Sequence, residues 1–436
     1  MVENNMTKMK SGMKRMNSRE QFKKTVNHQQ PDKLVVDFGS TAVTGIHVLA
    51  VERLREYYGL EKKPVRVVEP FQMLGEIDED LAELLGVDVV PAWGKNSMFG
   101  FYNHAPFKLY KTSWGQEVLV PEQFNTTVDA EGNTFLYPEG DVTVSPSGRM
   151  PRTGYFFDAV IRQEPIVEEQ LDPGDNLEEF SLVSDNDLVH WKKTAESARA
   201  TGKAVIAGLG GTALGDIALV PGLQLKRPKG IRDVAEWYMS TVLRPDYIKT
   251  VFEKQIDIAV ENFSRLHKVI GDNIDVVFIC GTDFGTQNST FCSPEQFDEM
   301  WLPYYKKIND WIHMNTTWKT FKHSCGAVES FMDHFIKAGF DIINPVQINA
   351  AGMDPVHLKK KYGKDLVFWG GGIDTQKTLQ YATHDKVREE ALRLCEIFNR
   401  DGGFVFNTIH NIQANVPVEN IVAMMKAIRE FNSSSC

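Results

Sequence analysis

Residues 318–326 read Trp-Lys-Thr-Phe-Lys-His-Ser-Cys-Gly, and the pattern they open decides the fold. Trp318–Lys322 has the β-prone content of a short strand, His323-Ser-Cys325-Gly326 is a polar turn, and Val328–Ala338 follows with helical spacing. The same three-part unit recurs along the chain. Further strand candidates are Leu34–Phe38, Val87–Val90, Ala204–Ala207, Val276–Cys280, Ile342–Ile343, Leu366–Trp369 and Phe404–Phe406. Helical stretches fall at His47–Tyr58, Arg232–Thr241, Pro245–Ile270, Pro294–His313, Pro355–Tyr362, Asp385–Phe398 and Val418–Phe431. Eight β-runs, mostly followed by a helix, predict an α/β chain folded as a parallel (β/α)8 TIM-type barrel. A doubly wound open sheet shares this alternation, and periodicity alone does not separate the two.

One stretch breaks the pattern. From about 107 to 157, turns at Trp114-Gly115, Glu131-Gly-Asn133, Glu139-Gly-Asp141 and Pro146-Ser-Gly148 separate runs rich in Thr, Val, Phe and Tyr. This reads as a β-meander inserted into the barrel. Residues 1–28 read as a flexible leader, 29–431 as a single barrel domain carrying the insertion, and 432–436 as a polar tail.

The 436 residues are 42% hydrophobic and 24% charged, a globular balance. Acidic residues (58) outnumber Lys plus Arg (48), and a net charge of −10 disfavours nucleic acid and anionic membrane surfaces as partners. No apolar run approaches the roughly 20 residues that span a bilayer. Five scattered cysteines do not form a disulfide framework, so a cytoplasmic setting is expected.

In a (β/α)8 barrel the chemistry sits where the strands end, because all eight converge on one mouth. The polar residues at those ends are Asp37 and Gly39, Asp283 and Gln287, His323 and Cys325, Asn344 and Gln347, Asp374, and Asn407 with His410. Gly208-Leu-Gly210-Gly211-Thr212 follows another strand but lacks dinucleotide-loop spacing. His323 and Cys325 lie two residues apart at a strand end, a pair suited to Zn2+; a buried cysteine beside a capping histidine is the bland alternative. A third ligand has to come from another strand end, and His410 is the best placed. Asp283 is open between a fourth ligand, a catalytic acid/base group and a turn cap.

These strand-end blocks resemble the uroporphyrinogen decarboxylase superfamily, which includes cobamide-dependent methyltransferases. The carriers are Gly281-Thr-Asp-Phe-Gly-Thr-Gln287, His323-Ser-Cys-Gly326, Asp341-Ile-Ile-Asn-Pro-Val-Gln347, Gly370-Gly-Gly-Ile-Asp374, and Gly402-Gly-Phe-Val-Phe-Asn407 with His410. The resemblance implies a distorted barrel. It also points to the methyltransferase branch, because Phe38–His47 contains none of the arginines with which decarboxylases clamp porphyrinogen carboxylates. In that branch the His-x-Cys pair binds zinc with a thiolate from the last strand end, whereas this chain has His410 there. His410 is therefore open between a zinc ligand and a substrate-binding residue.

By this resemblance, His323, Cys325 and His410 hold Zn2+ and Asp283 and His410 serve catalysis. Asp37, Gly39, Gln287, Asn344, Gln347, Asp374 and Asn407 contact substrate. The expected reaction moves a methyl group between a small methylated compound (a methoxylated aromatic) or thiol and the cobalt of cobalamin. The chain has no D-x-H-x-x-G sequence, so the cobalamin is expected on a separate corrinoid protein. The meander's aromatics, including Tyr110, Trp114, Phe124, Phe135, Tyr155 and Phe156, offer either a lid over the site or the meander's own core. A homodimer is compatible with the resemblance. The alternative is a metal-free lyase of decarboxylase type, acting on a tetrapyrrole or small acid.

Overall fold

The computed structural model describes residues 16–210 and 212–434. Eight strands form one parallel sheet: β1 (Val35–Val36), β2 (Val89–Ala92), β3 (Ala204–Ala207), β4 (Val276–Cys280), β5 (Lys319–His323), β6 (Ile342–Asn344), β7 (Val367–Trp369) and β8 (Phe404–Phe406). Neighbours pair in chain order from β2 to β8, and β8 pairs with β1, in register Val35 with Val405 and Val36 with Phe406. The remaining seam, between β1 and β2, is bridged by the Asp88 N–H donating to the Val36 carbonyl at 2.8 Å. The Asp88 carboxylate accepts the Val36 N–H at 3.1 Å and also takes Ser18 Oγ and Lys33 Nζ. The sheet thus closes into the expected (β/α)8 barrel, and the open-sheet alternative falls away.

Alternation along the strands sorts side chains into two cores. Val35, Val89, Ile206, Val276, Phe321, Ile342, Val367, Trp369 and Val405 fill the barrel interior. Their neighbours Val36, Val205, Val277, Ile343, Phe368, Phe404 and Phe406 pack against the helical layer. The period of two is why the strands read as unbroken apolar runs: both faces are buried.

Two boundaries differ from expectation. Residues 18–28 are not a flexible leader: Ser18–Val26 is a helix with an Asn17/Glu20 capping box. Its Phe22 and Val26, one turn apart, plug the lower end of the barrel, and Phe22 meets Trp369 edge-on at 5.8 Å. Residues 1–15 lie outside the described part. Nor does a polar tail begin at 432, because the last helix runs Val418–Ser434 and Asn432 Oδ1 accepts the Leu34 N–H at 2.8 Å.

The insertion is larger than a meander. Its strands form two four-stranded sheets, one built from Val65–Glu69, Leu74–Gly75, Phe107–Lys111 and Glu117–Pro121, the other from Thr126–Val128, Thr134–Leu136, Gly148–Met150 and Asp158–Ala159. Val65–Glu69 comes from the first crossover and pairs parallel with Glu117–Pro121, so the insertion is stitched to the barrel's own connection. Phe124 packs among Phe101, Tyr110 and Phe157, which makes these aromatics the insertion's core. Among the described residues, no helix is long and apolar enough to cross a membrane.

Candidate metal centre

β5 alternates Phe321 inward, Lys322 outward and His323 inward, which delivers the His323 ring to the barrel mouth. The turn that follows lifts Cys325 beside it. His410 arrives from the loop after β8. The metal-binding atoms of His323, Cys325 and His410 all lie within 4.8 Å of one another. Cys325 Sγ is 3.4 Å from His323 Nε2, and the two imidazole rings stand 5.6 Å apart at 76°. A tetrahedral zinc site separates its ligand atoms by about 3.4–3.8 Å, close to this arrangement.

The protonation pattern follows from the hydrogen bonds. Asn344 Nδ2 donates to the Trp369 carbonyl at 2.9 Å, which turns Asn344 Oδ1 toward His323 Nδ1 at 2.6 Å. Nδ1 therefore carries the proton, and the Nε2 lone pair faces Cys325 and His410. Burial holds the His323 imidazole down at about 4. Burial, with His323 beside it, does the same to His410, also at about 4. Both rings are neutral at neutral pH, the form that binds a metal. Burial and then the Asp283 carboxyl push the Cys325 thiol well above its ordinary range. The site thus offers two neutral imidazoles and a thiol whose burial outweighs the pull of the Lys322 ammonium toward a thiolate, and a divalent cation fits that donor set.

The loop carrying Cys325 is fixed from its own backbone. Asp283 Oδ1 accepts the Cys325 N–H at 2.7 Å, Gln347 Oε1 accepts the Gly326 N–H at 2.8 Å, and Ser324 Oγ accepts the Phe284 N–H at 2.9 Å. Gly326 has φ +91°, and a Cβ there would stand 2.4 Å from Gly285 carbonyl atoms, so the two loops touch backbone to backbone. Burial raises the Asp283 carboxyl above its ordinary value.

A cavity of about 520 Å³ opens beside the triad and is lined in part by His323, Cys325, His410 and Asp283. Its other walls are mostly apolar: Phe71, Met98, Phe180, Ile217, Leu219 and Phe278 among them. Gln72, Thr212 and Asp216 add polar atoms. Asp216 is fully buried and accepts N–H groups from Gly281 at 2.8 Å and Ala218 at 2.9 Å. Gly208, Gly210 and Thr212 come from the strand-end block after β3 that the sequence displays, whereas Phe71, Gln72, Met98, Phe180, Asp216, Ile217 and Leu219 sit in no recognisable motif, and only their convergence in three dimensions marks them. Gly211, in the loop after β3, lies outside the described residues.

The residues expected to contact substrate are placed differently. Asp37 is fully buried and accepts the Trp369 indole N–H at 2.9 Å inside the barrel, where burial raises its carboxyl to about 6. Asn407 Nδ2 donates to the Asp37 carbonyl at 2.7 Å, and the Gly39 N–H donates to the Thr44 carbonyl at 2.7 Å. Asp374 Oδ1 caps the turn at Gln376 and Lys377. Gln347 Nε2 donates to Gln287 Oε1 at 2.9 Å, so that pair braces the Cys325 loop. Asn344 holds His323. None of these seven lines the cavity. They support the site from behind: their polar groups turn to protein partners, except Asn407 Oδ1, which is buried with no hydrogen-bond partner. The meander aromatics expected as a lid do not line it either; Phe71 and Met98 stand there instead.

Comparison with known proteins agrees with this architecture. The family described as uroporphyrinogen decarboxylase (URO-D) matches residues 165–431. Uroporphyrinogen decarboxylase from Vibrio vulnificus (strain YJ016) is 36% identical over 96 residues, 20% of this chain and 26% of that protein. The uroporphyrinogen decarboxylase of Ruthia magnifica subsp. Calyptogena magnifica is 25% identical over 197 residues, 43% of this chain and 50% of that one. The chain thus spans between a quarter and a half of the length of these curated relatives. A solved methyltransferase from Methanosarcina mazei shares the fold over 95% of this chain and 99% of its own, with TM-score 0.53 and 14% identity. The family match runs from before β3 through the last helix, takes in His323, Cys325 and His410 and covers well over half of the residues, and so the chain belongs to the uroporphyrinogen decarboxylase (URO-D) family.

Proposed function

We propose that the chain is a zinc-dependent methyltransferase that moves a methyl group between a small methylated substrate, a methoxylated aromatic or a thiol, and the cobalt of a corrinoid protein. The observation that carries this reading is the convergence of His323, Cys325 and His410 beside a mostly apolar cavity, with Asn344 fixing the His323 tautomer. Three protein ligands with a cavity on the remaining side is the plan of a catalytic zinc site. A bound zinc ion supplies Lewis acidity to an ether oxygen or thiol at that open side.

The chain's own residues do the rest. Apolar walls exclude water from the reacting centre and orient a flat ligand. Asp283, which lines the cavity, commits Oδ1 to the Cys325 N–H and keeps a second oxygen free of that bond. With its carboxyl raised by burial, that group can hold the proton a departing oxygen requires. The decarboxylase-type reading is disfavoured by the same cavity, because among the described residues no lysine or arginine lines it to receive porphyrinogen carboxylates.

Elemental mass spectrometry of the purified chain beside Cys325→Ala and His323→Ala tests the proposal. It expects about one zinc per chain in wild type and none in either variant. Zinc-free wild type, prepared anaerobically, would overturn it. Methyl transfer to a free or protein-bound cobamide then tests the reaction itself.

A further inference from the structure

The walls of the cavity carry information about charge that the metal ligands do not. Among the described residues, no lysine or arginine lines it. Two carboxyl groups do, Asp216 and Asp283. The ammonium nearest to them, Lys322, sits on the outward face of β5. It donates to the Thr282 carbonyl at 2.5 Å and to the His323 carbonyl, and lies 5.2 Å above the Phe284 ring. Its charge is spent on backbone oxygens and an aromatic face behind the wall. A carboxylate entering this space would lose its hydration, gain no counter-cation from the wall and meet the Asp216 carboxyl, whose oxygens already accept the Gly281 and Ala218 N–H groups. Phe71, Phe180 and Phe278 meanwhile offer flat apolar surface, and about 520 Å³ accommodates a single substituted ring with room to spare.

We infer that the cavity takes an uncharged methyl-bearing aromatic compound and rejects its carboxylated counterpart, so that the methyl donor is a phenol-type ether and not a methoxylated acid. The inference rests on the proposed use of this cavity as the methyl-donor pocket. It assigns Asp216, together with the missing cation opposite it, to substrate selection. Leu219, at the rim, and Ile217, half-buried beside it, are the positions from which an added guanidinium would cancel the preference.

Calorimetric titration of 3-methoxyphenol against 3-methoxybenzoate is the direct test, because the two differ only in the charged group. It is done on the zinc-loaded and the metal-stripped chain, with zinc measured on the same samples. The phenol is expected to bind at least about tenfold more tightly in both. In Leu219→Arg and Ile217→Arg the benzoate is expected to gain about tenfold while the phenol changes little. Benzoate binding as tight as phenol binding in wild type, whether through a bound metal or the wall, would overturn the inference. So would failure of the phenol to bind, or an unchanged ratio in both arginine variants. If the zinc-loaded chain prefers benzoate, the inference fails and the metal reading stands. If a chain that takes up no zinc prefers phenol, the metal reading fails and the charge selection stands.

Discussion

The barrel mouth is built from two kinds of material. On one side, the ends of β4, β5 and β6 present groups held by named partners: the His323 ring by Asn344, Asn344 by the Trp369 carbonyl, the Cys325 N–H by Asp283 and the Gly326 N–H by Gln347. On the other side, loops after β1, β2 and β3 supply Phe71, Met98, Ile217 and Leu219, which touch the cavity through apolar atoms alone. The first side is rigid and chemically specific; the second is shaped by packing. The contrast separates the reaction, which requires fixed donors, from selectivity, which a few loop side chains can change without disturbing those donors.

Substitutions on the two sides should therefore behave differently. The largest effect is expected from the ligands: Cys325→Ala or His323→Ala should abolish metal binding and methyl transfer together, read by elemental analysis and turnover. If either variant kept stoichiometric zinc, the division between the two sides would collapse. Next comes pH. Asp37 in the barrel and Glu69 in the insertion are fully buried, and burial raises them to about 6 and about 7. Each keeps its proton to higher pH in the folded than in the unfolded chain. Their contribution to stability is therefore full below the ordinary carboxylate range and is lost as pH rises through about 4–7. Glu69 accepts the N–H groups of Phe71 and Gln72, both at the cavity wall. Glu69→Gln should flatten the fall in stability between pH 5 and pH 8 by about 3 kcal/mol, with zinc content unchanged, as measured by denaturant unfolding.

Asn344→Ala sharpens the comparison from the other direction. It leaves all three ligands in place and removes the partner of His323 Nδ1, so zinc affinity should fall about 10–100-fold in a chelator competition. A drop in turnover at unchanged zinc affinity would contradict that positioning role. The smallest effect is expected at the wall, where Met98→Ala should weaken 3-methoxyphenol about three- to tenfold and leave zinc untouched.

The same contrast explains what could be read in advance. Each strand-end block is contiguous, so His323-Ser-Cys325-Gly326 displays its ligands within four residues, and the eight apolar runs announce the barrel because both faces of every strand are buried. His410 could be paired with them once its strand end was located. Asp37, Asp374, Gln347 and Asn407 share the same positions in the pattern, yet they turn to protein partners. A one-dimensional reading places a residue at a strand end and leaves open whether its polar atoms are already taken. Phe71, Asp216 and Leu219 carried no signal, since they come together only when three separate connections fold over the mouth. The helix Ser18–Val26 falls inside the stretch read as a leader, because its buried face rests on only two apolar residues four apart, Phe22 and Val26.

The seam between β1 and β2 has a consequence for how the molecule breathes. Elsewhere the barrel is held by paired strands, but here Asp88 carries the join through one backbone bond and one carboxylate. Proton–deuterium exchange should therefore be fastest among barrel amides at Val36 and Asp88. The loops that diverge from this join carry Ala42, Val43 and Met98 of the cavity wall, whereas His323 and Cys325 stand on β5 and its turn, several strands away. Opening there would part the walls around a ligand without loosening that pair.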